Sequence, residues 1–297
     1  MEGASNRIWP QINHPGRLAF AKIKKKVVAP SSVSLKMGGA SSMFKEPIPL
    51  TEEEIWEVIK RFGNTAKIMK DAGFSGCQIH GAHGYLVSQF LSPLSNVRQD
   101  QWGGSLKNRA RFVLEVYREI RGQVGLDYPI GIKINSADFQ RGGFSEGTYE
   151  KPAMVGSKRK QSTIEREAYF LDYIEKARRV TDKPLMLTGG FRTVSVMETA
   201  LENGALDVVG LGRPFCLYPE IAQDIFTKKS TSFEVSAPKS GIKFIDKTGG
   251  VELPWYELQI HRIGKGKVPK ISISGLSAFI FSIKNMILKS FLKHIHT

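Results

Sequence analysis

At 297 residues, 41% hydrophobic and 10% aromatic, the chain can bury one large α/β core or two smaller ones, and its composition excludes disorder. Lys and Arg number 43 against 28 Asp and Glu, a net +15 that suits anionic small molecules, membrane surfaces and nucleic acid alike. The basic clusters, however, are scattered over "KIKKK" (Lys22 to Lys26), "GSKRK" (Gly156 to Lys160) and the C-terminal tail, with no zinc finger, basic zipper or RNP-like sequence, so nucleic acid is not an expected partner.

Two cysteines, Cys77 and Cys216, stand far apart with no CxxC, which excludes a disulfide framework and fits a reducing, cytoplasmic setting. The N-terminal "MEGASNRIWPQ" has no apolar targeting core, and no window offers 18 apolar residues free of charge. A soluble protein is expected.

In chain order, short apolar runs ending in Gly, Asn or His read as strands: Arg7–Asn13, Gly76–His80, Ile130–Asn135, Leu185–Thr188 and Leu206–Leu211. Helical patterns fill most of the gaps. Thr51 and Glu54 have the spacing of a capping box, Ile55, Ile59, Phe62, Ala66 and Met69 recur at helical steps behind it, and "DAGF" (Asp71 to Phe74) stops the helix. A second helix spans Leu106 to Gly122, with Phe112, Val113, Val116 and Ile120 on one side, and a third runs from about Ile164 to Val180. Strands alternating with helices predict a parallel sheet covered on both faces. Gln11, Asn13, His80, His83, Lys133, Asn135 and the Gly189–Gly190 pair all fall at or just past strand C-termini, and no GxGxxG opens a helix. This favours a TIM-type (β/α)8 barrel over a doubly wound sheet.

Beyond Pro219 the pattern weakens. "LPWYELQIHRI" (Leu253 to Ile263) reads as a short amphipathic helix, and Ile271 to Ile295 as a second one, with Leu276, Ile280, Ile283, Ile287 and Phe291 at helical spacing and Lys284, Lys289 and Lys293 among the other positions. That tail can pack on the protein itself, lie on an anionic membrane or meet a partner protein. The expected organisation is a barrel part over 1–225, an extension over 226–270 and a basic amphipathic helix over 271–297.

The chemistry concentrates in "QIHGAHGYL" (Gln78 to Leu86). Its two histidines are spaced i, i+3, which is not the His-Glu-x-x-His of helical zinc sites, and no Cys/Asp/His cluster completes a ligand set, so no metal is expected. Two imidazoles at one strand end can hold a single acceptor oxygen, with Tyr85 supplying a proton nearby. Alternatively, the histidines satisfy backbone groups in a strand-to-helix turn. "TGGF" (Thr188 to Phe191) and "GLGRPF" (Gly210 to Phe215) end two consecutive strands with glycines able to cradle a phosphate, and Arg213 adds a cation.

Together "WPQINHPGRL", "IHGAHGYLVSQFLSPLSNVRQDQWGGSLKNRARFVLEV", "IGIKINSADF", "LTGGFRT" and "VGLGRPF" resemble the FMN-dependent NADH:flavin oxidoreductases, the Old Yellow Enzyme family, from about Trp9 to Pro219. The resemblance implies an eight-stranded α/β barrel with FMN at its C-terminal mouth, NADH or NADPH as reductant, and hydride transfer through the flavin to an activated alkene or quinone-like acceptor. It places Gln11 at the flavin pyrimidine edge and Lys133 near its N1 and O2. It puts Gly189, Gly190, Gly212 and Arg213 on the phosphate, His80 and His83 on the substrate carbonyl, and Tyr85 as proton donor.

Two departures accompany it. The family has two strand–helix units before the "QINHPGR" strand, and a helix and sixth strand after "GGFSE" (Gly142 to Glu146), where this chain runs into "GTYEKP". The expectation is an incomplete barrel carrying the strands that correspond to three, four, five, seven and eight. An inactive variant with weak or no flavin binding is the alternative.

Overall fold

Helix formation is clearest where the sequence predicts it. In the computed structural model, which describes residues 7–21, 26–35, 43–136, 170–235, 238–247 and 251–295, the first long helix is α1, Glu52–Asp71. Both halves of its capping box form: Thr51 Oγ1 accepts from Glu54 N at 3.2 Å and Glu54 Oε2 accepts from Thr51 N at 3.1 Å. Ile55, Ile59, Phe62 and Ala66 are buried, Val58 joins them, and Met69 is only partly covered. Ala72 closes the helix and Gly73 follows with φ +86°.

The chain divides into two compact units, Met1–Lys151 and Pro152–Thr297. In the first, β1 (Gln11–Ile12), β4 (Cys77–Gly81) and β5 (Ile130–Ile134) form a parallel sheet in the order β1-β4-β5. Parallel strands need crossover helices. Two are present: α1 leads into β4, and α3 (Leu106–Val124) leads into β5. Phe112, Val116 and Ile120 of α3 pack with α1 and the sheet, with Phe112 stacked on Phe90 at 4.1 Å and edge-on to Phe62 at 6.5 Å. A further parallel pair, β2 (Val28–Ala29) with β3 (Ile48–Pro49), escapes the sequence reading because two-residue strands carry no alternation to detect.

In the second unit, β6 (Met186–Thr188) pairs in parallel with β7 (Val208–Gly210) across the crossover helix α5 (Val194–Glu202). The helix ahead of β6 is α4, Leu171–Arg178; its expected start at Ile164 lies outside the described residues, as do "GSKRK" and the segment after Gly142. After β7 come α6 (Arg213–Leu217), α7 (Ile221–Phe226), α8 (Lys243–Lys247), α9 (Glu252–Ile263) and α10 (Gly275–Ile295). Trp255 and Tyr256 of α9, Leu217 of α6 and Ala278 of α10 share a small core, and Trp255 Nε1 donates to the Ile273 carbonyl at 2.7 Å.

Of the apolar stripe read from the sequence for the tail helix, Leu276 is half-buried. Gly275 and Ala278 are buried, whereas Ile280 and Ile283 are 55% and 38% exposed. Ala278 joins the core of Trp255 and Tyr256, and the Phe281 ring lies 5.5 Å from that of His261 on α9. Among the described residues no helix is long and apolar enough to cross a membrane.

Candidate active site

The expected site residues fall into two groups, one in each unit. In the first unit, parallel register does the positioning: Gln11 pairs with Gln78, and His80 with Lys133. Side chains in register share a face, and residues two apart on a strand return to it, so Gln11, Gln78, His80 and Lys133 form a polar patch on one side of the sheet. Ile12 and Ile79 line the other side, buried in the core. Gln11 Nε2 donates to Gln78 Oε1 at 2.6 Å.

At the end of β4 the chain turns sharply. His83 adopts a left-handed backbone (φ +59°), a conformation that costs a non-glycine residue about 1 kcal/mol and is held by its surroundings. One support is Asn135, just past β5, whose Oδ1 accepts from His83 N at 3.2 Å. The turn folds His83 and Tyr85 back over His80, at ring-centroid distances of 5.0 and 4.9 Å. The expected trio is therefore brought together, with Lys133 beside it.

Burial pushes the His80 imidazole down to about 4, assisted by His83 and by the positive charge of Lys133. Burial and Lys133 also lower His83, and burial lowers Lys133 itself. His80 is consequently neutral at pH 7. A neutral imidazole offers one donor and one acceptor, and the buried His80 Nδ1 has no hydrogen-bond partner among the described residues. Four other buried polar atoms share this condition, but His80 Nδ1 alone among them belongs to the His80–His83–Tyr85 cluster, where a ligand atom could bond it.

Sequence reasoning missed the residue that braces this turn. Gln89, fully buried on α2 (Leu86–Leu91), donates through Nε2 to the carbonyls of Gly84 at 2.6 Å and Pro15 at 3.2 Å, and its Oε1 accepts from Arg17 N at 3.3 Å. It ties the histidine turn to the loop after β1. Gly16, at φ +56°, is required there, because a Cβ would collide with the Gln89 side-chain amide. The spacing of Gln89 one helical turn after Tyr85 is the only signal the sequence carries.

In the second unit, Gly189, Gly190, Gly212 and Arg213 line one cavity of about 100 Å³, together with Thr188 and Arg192. Gly189 and Gly190 have φ of +136° and +88°, conformations open chiefly to glycine, so their place at the end of β6 is a backbone requirement. Arg192, four residues past Thr188, is a second cation that the sequence reading passed over. Arg213 Nη1 bonds Glu252 Oε1 of α9 at 2.5 Å. Tyr256, one turn further on, is pushed up to about 12 chiefly by burial, with Arg213 opposing and Glu252 adding to the shift.

In the second unit, two cations beside glycine backbone fit an anionic group such as the phosphate of a flavin mononucleotide; in the first, the His80 imidazole nitrogen fits a polar ligand atom. Among the described residues no group of three His, Cys, Asp or Glu is placed to hold a metal ion. Cys77 is buried, Cys216 is half-buried, and both are free thiols.

Comparison with known proteins agrees with these features. Residues 3–231 match the model of the NADH:flavin oxidoreductase / NADH oxidase family. The NADH-dependent flavin oxidoreductase nadA of Aspergillus parasiticus is 34% identical over 245 residues, 75% of this chain and 55% of its own. The chain thus spans about half the length of that relative. Among solved structures, a 2-naphthoyl-CoA reductase complex superposes with a TM-score of 0.63 at 25% identity, covering 73% of this chain and 37% of that one. Morphinone reductase gives 0.61 at 23% identity, covering 78% and 67%, and shares the α/β-barrel fold class expected from the sequence. The chain belongs to the NADH:flavin oxidoreductase / NADH oxidase family.

Proposed function

We propose that this protein is an FMN-dependent oxidoreductase that takes reducing equivalents from NADH or NADPH and delivers them to an activated alkene or a quinone-like acceptor. The observation that carries the reading is the His80–His83–Tyr85 cluster with its unpartnered, buried imidazole nitrogen. When bound, the flavin supplies hydride transfer between a nicotinamide and an electrophilic carbon. The protein does the rest.

His80 and His83, kept neutral by burial and by Lys133, grip the acceptor's carbonyl oxygen through N–H donors and stabilise charge that develops on it. Tyr85 Oη holds the proton destined for the acceptor carbon. Lys133 and Gln11, on the same sheet face, would hold the flavin ring, the lysine offsetting negative charge on it. In the second unit, Gly189, Gly190, Gly212 and Arg213 would hold a phosphate group.

We assign flavin binding to residues 1–225, with an extension over 226–270 and the tail helix within 271–297, in a cytoplasmic setting that the free thiols support. The exposed Ile280 and Ile283 with Lys284 support a peripheral contact of the tail with an anionic surface.

A second reading, a form that holds flavin weakly or not at all on an incomplete barrel, is supported by β5, whose Ile132 and Ile134 are 44% and 50% exposed and whose outer edge pairs with no strand among the described residues. An absorbance scan of the purified chain with and without added FMN separates the two. A flavin spectrum, with enone-dependent NAD(P)H oxidation lost in His80→Ala and cut at least tenfold in Tyr85→Phe, supports the enzyme. A colourless protein that gains no chromophore from FMN sinks it.

A further inference from the structure

We infer that Glu252 sets the strength of phosphate binding in the glycine-lined cavity of the second unit, by sharing the Arg213 guanidinium with the ligand. The inference rests on the reading of that cavity as the site of the FMN phosphate.

Glu252 is the first residue of α9, and its chain neighbours fix its position. Trp255 is fully buried and bonded to the Ile273 carbonyl, and Val251 on the other side is buried as well. The carboxylate is therefore presented to Arg213 by an anchored helix end, at 2.5 Å from Nη1, with the two side chains 30% and 37% exposed. It sits at the edge of a cavity whose cations are Arg192 and Arg213.

The carboxylate offsets the positive charge that Arg213 brings to the cavity, against a phosphate monoester of about −1.5 to −2 at neutral pH. A guanidinium has five donors, so Arg213 can bind the carboxylate and a phosphate together. The two anions then lie across one cation and repel each other. The carboxylate thus holds phosphate affinity below what the arginines alone would give, and gives the extension beyond residue 225 an electrostatic hold on the site.

The test compares FMN with riboflavin, which has the same ring and no phosphate, by titrating the full-length apoprotein and following quenching of flavin fluorescence. Glu252→Gln is expected to tighten FMN binding about fivefold to tenfold and to leave riboflavin unchanged. Glu252→Asp, which keeps the charge, should retain an FMN-to-riboflavin ratio near the wild type. In an Arg213→Gln background the Glu252→Gln effect should vanish. If Glu252→Gln fails to fold, Glu252→Ala removes the same charge.

Weaker or unchanged FMN binding in the folded neutral variants overturns the inference while the phosphate reading stands. Wild-type protein that binds FMN no better than riboflavin, or binds neither, overturns the phosphate reading and the inference with it.

Discussion

Replacing Gln89 tests whether the histidine turn is held by one buried amide. Gln89 has no solvent exposure and makes three hydrogen bonds to backbone groups, the carbonyls of Gly84 and Pro15 and the amide of Arg17. Each bond lost beside a buried partner costs about 1 kcal/mol net, and the vacated volume adds about 1–2 more, so Gln89→Ala is expected to destabilise the first unit by about 4–5 kcal/mol. Gln89→Leu restores volume without polarity and should recover only the smaller part. Gln89→Glu keeps the shape but aims a carboxylate at two carbonyl oxygens, and should be as damaging as alanine. Urea denaturation gives the stability change. Hydrogen exchange at the amides of Tyr85 and Leu86, which bond the carbonyls of Ala82 and His14, gives its location. A change below about 1.5 kcal/mol in Gln89→Ala, or a Gln89→Leu variant as stable as the wild type, would refute the bracing argument.

Three other outcomes are expected. The folded His80 titrates near 4 and the unfolded one near 6.5, so the unfolded chain binds the extra proton as pH falls through this window; stability present above pH 6.5 is lost by about 2–3 kcal/mol towards pH 4, and urea midpoints for His80→Asn should lack that component. Phe112→Ala, which removes a fully buried ring stacked on Phe90, should cost about 3–5 kcal/mol by denaturation; a loss under about 1 kcal/mol would contradict the packing. The full chain should co-sediment with phosphatidylserine vesicles more than with phosphatidylcholine ones, weakly at high salt, and less in Ile280→Gln/Ile283→Gln. Equal sedimentation with both lipids would end the tail proposal.

Local patterns were legible wherever one physical rule governed them. The capping box at Thr51 and the apolar spacing behind it define α1, since both signals lie within a few residues of each other. Likewise β4, β5, β6 and β7 lie within or close to the expected apolar runs, although coverage on both faces is not met: Ile132 and Ile134 of β5, Met186 of β6 and Val208 of β7 are 44%, 50%, 51% and 46% exposed. The histidine trio was legible as candidate residues, yet the bare spacing left metal, oxygen clamp and turn all open.

What the sequence by itself determined is the class of structure: alternating elements, parallel pairing and the glycines at strand ends, with a set of candidate residues placed on them. The tertiary structure decided their condition. Register, which no local pattern encodes, set Lys133 beside His80, where its charge joins burial in keeping the histidine neutral. Folding carried Gln89 beneath the turn and Glu252 onto Arg213, contacts between residues 5 and 39 positions apart. It also buried Gly275 and Ala278 of α10 and left Ile280 and Ile283 at 55% and 38% exposure, a difference the apolar spacing does not carry. Periodicity tells which residues are apolar; close approach of two helices depends on which side chains are small enough to admit it.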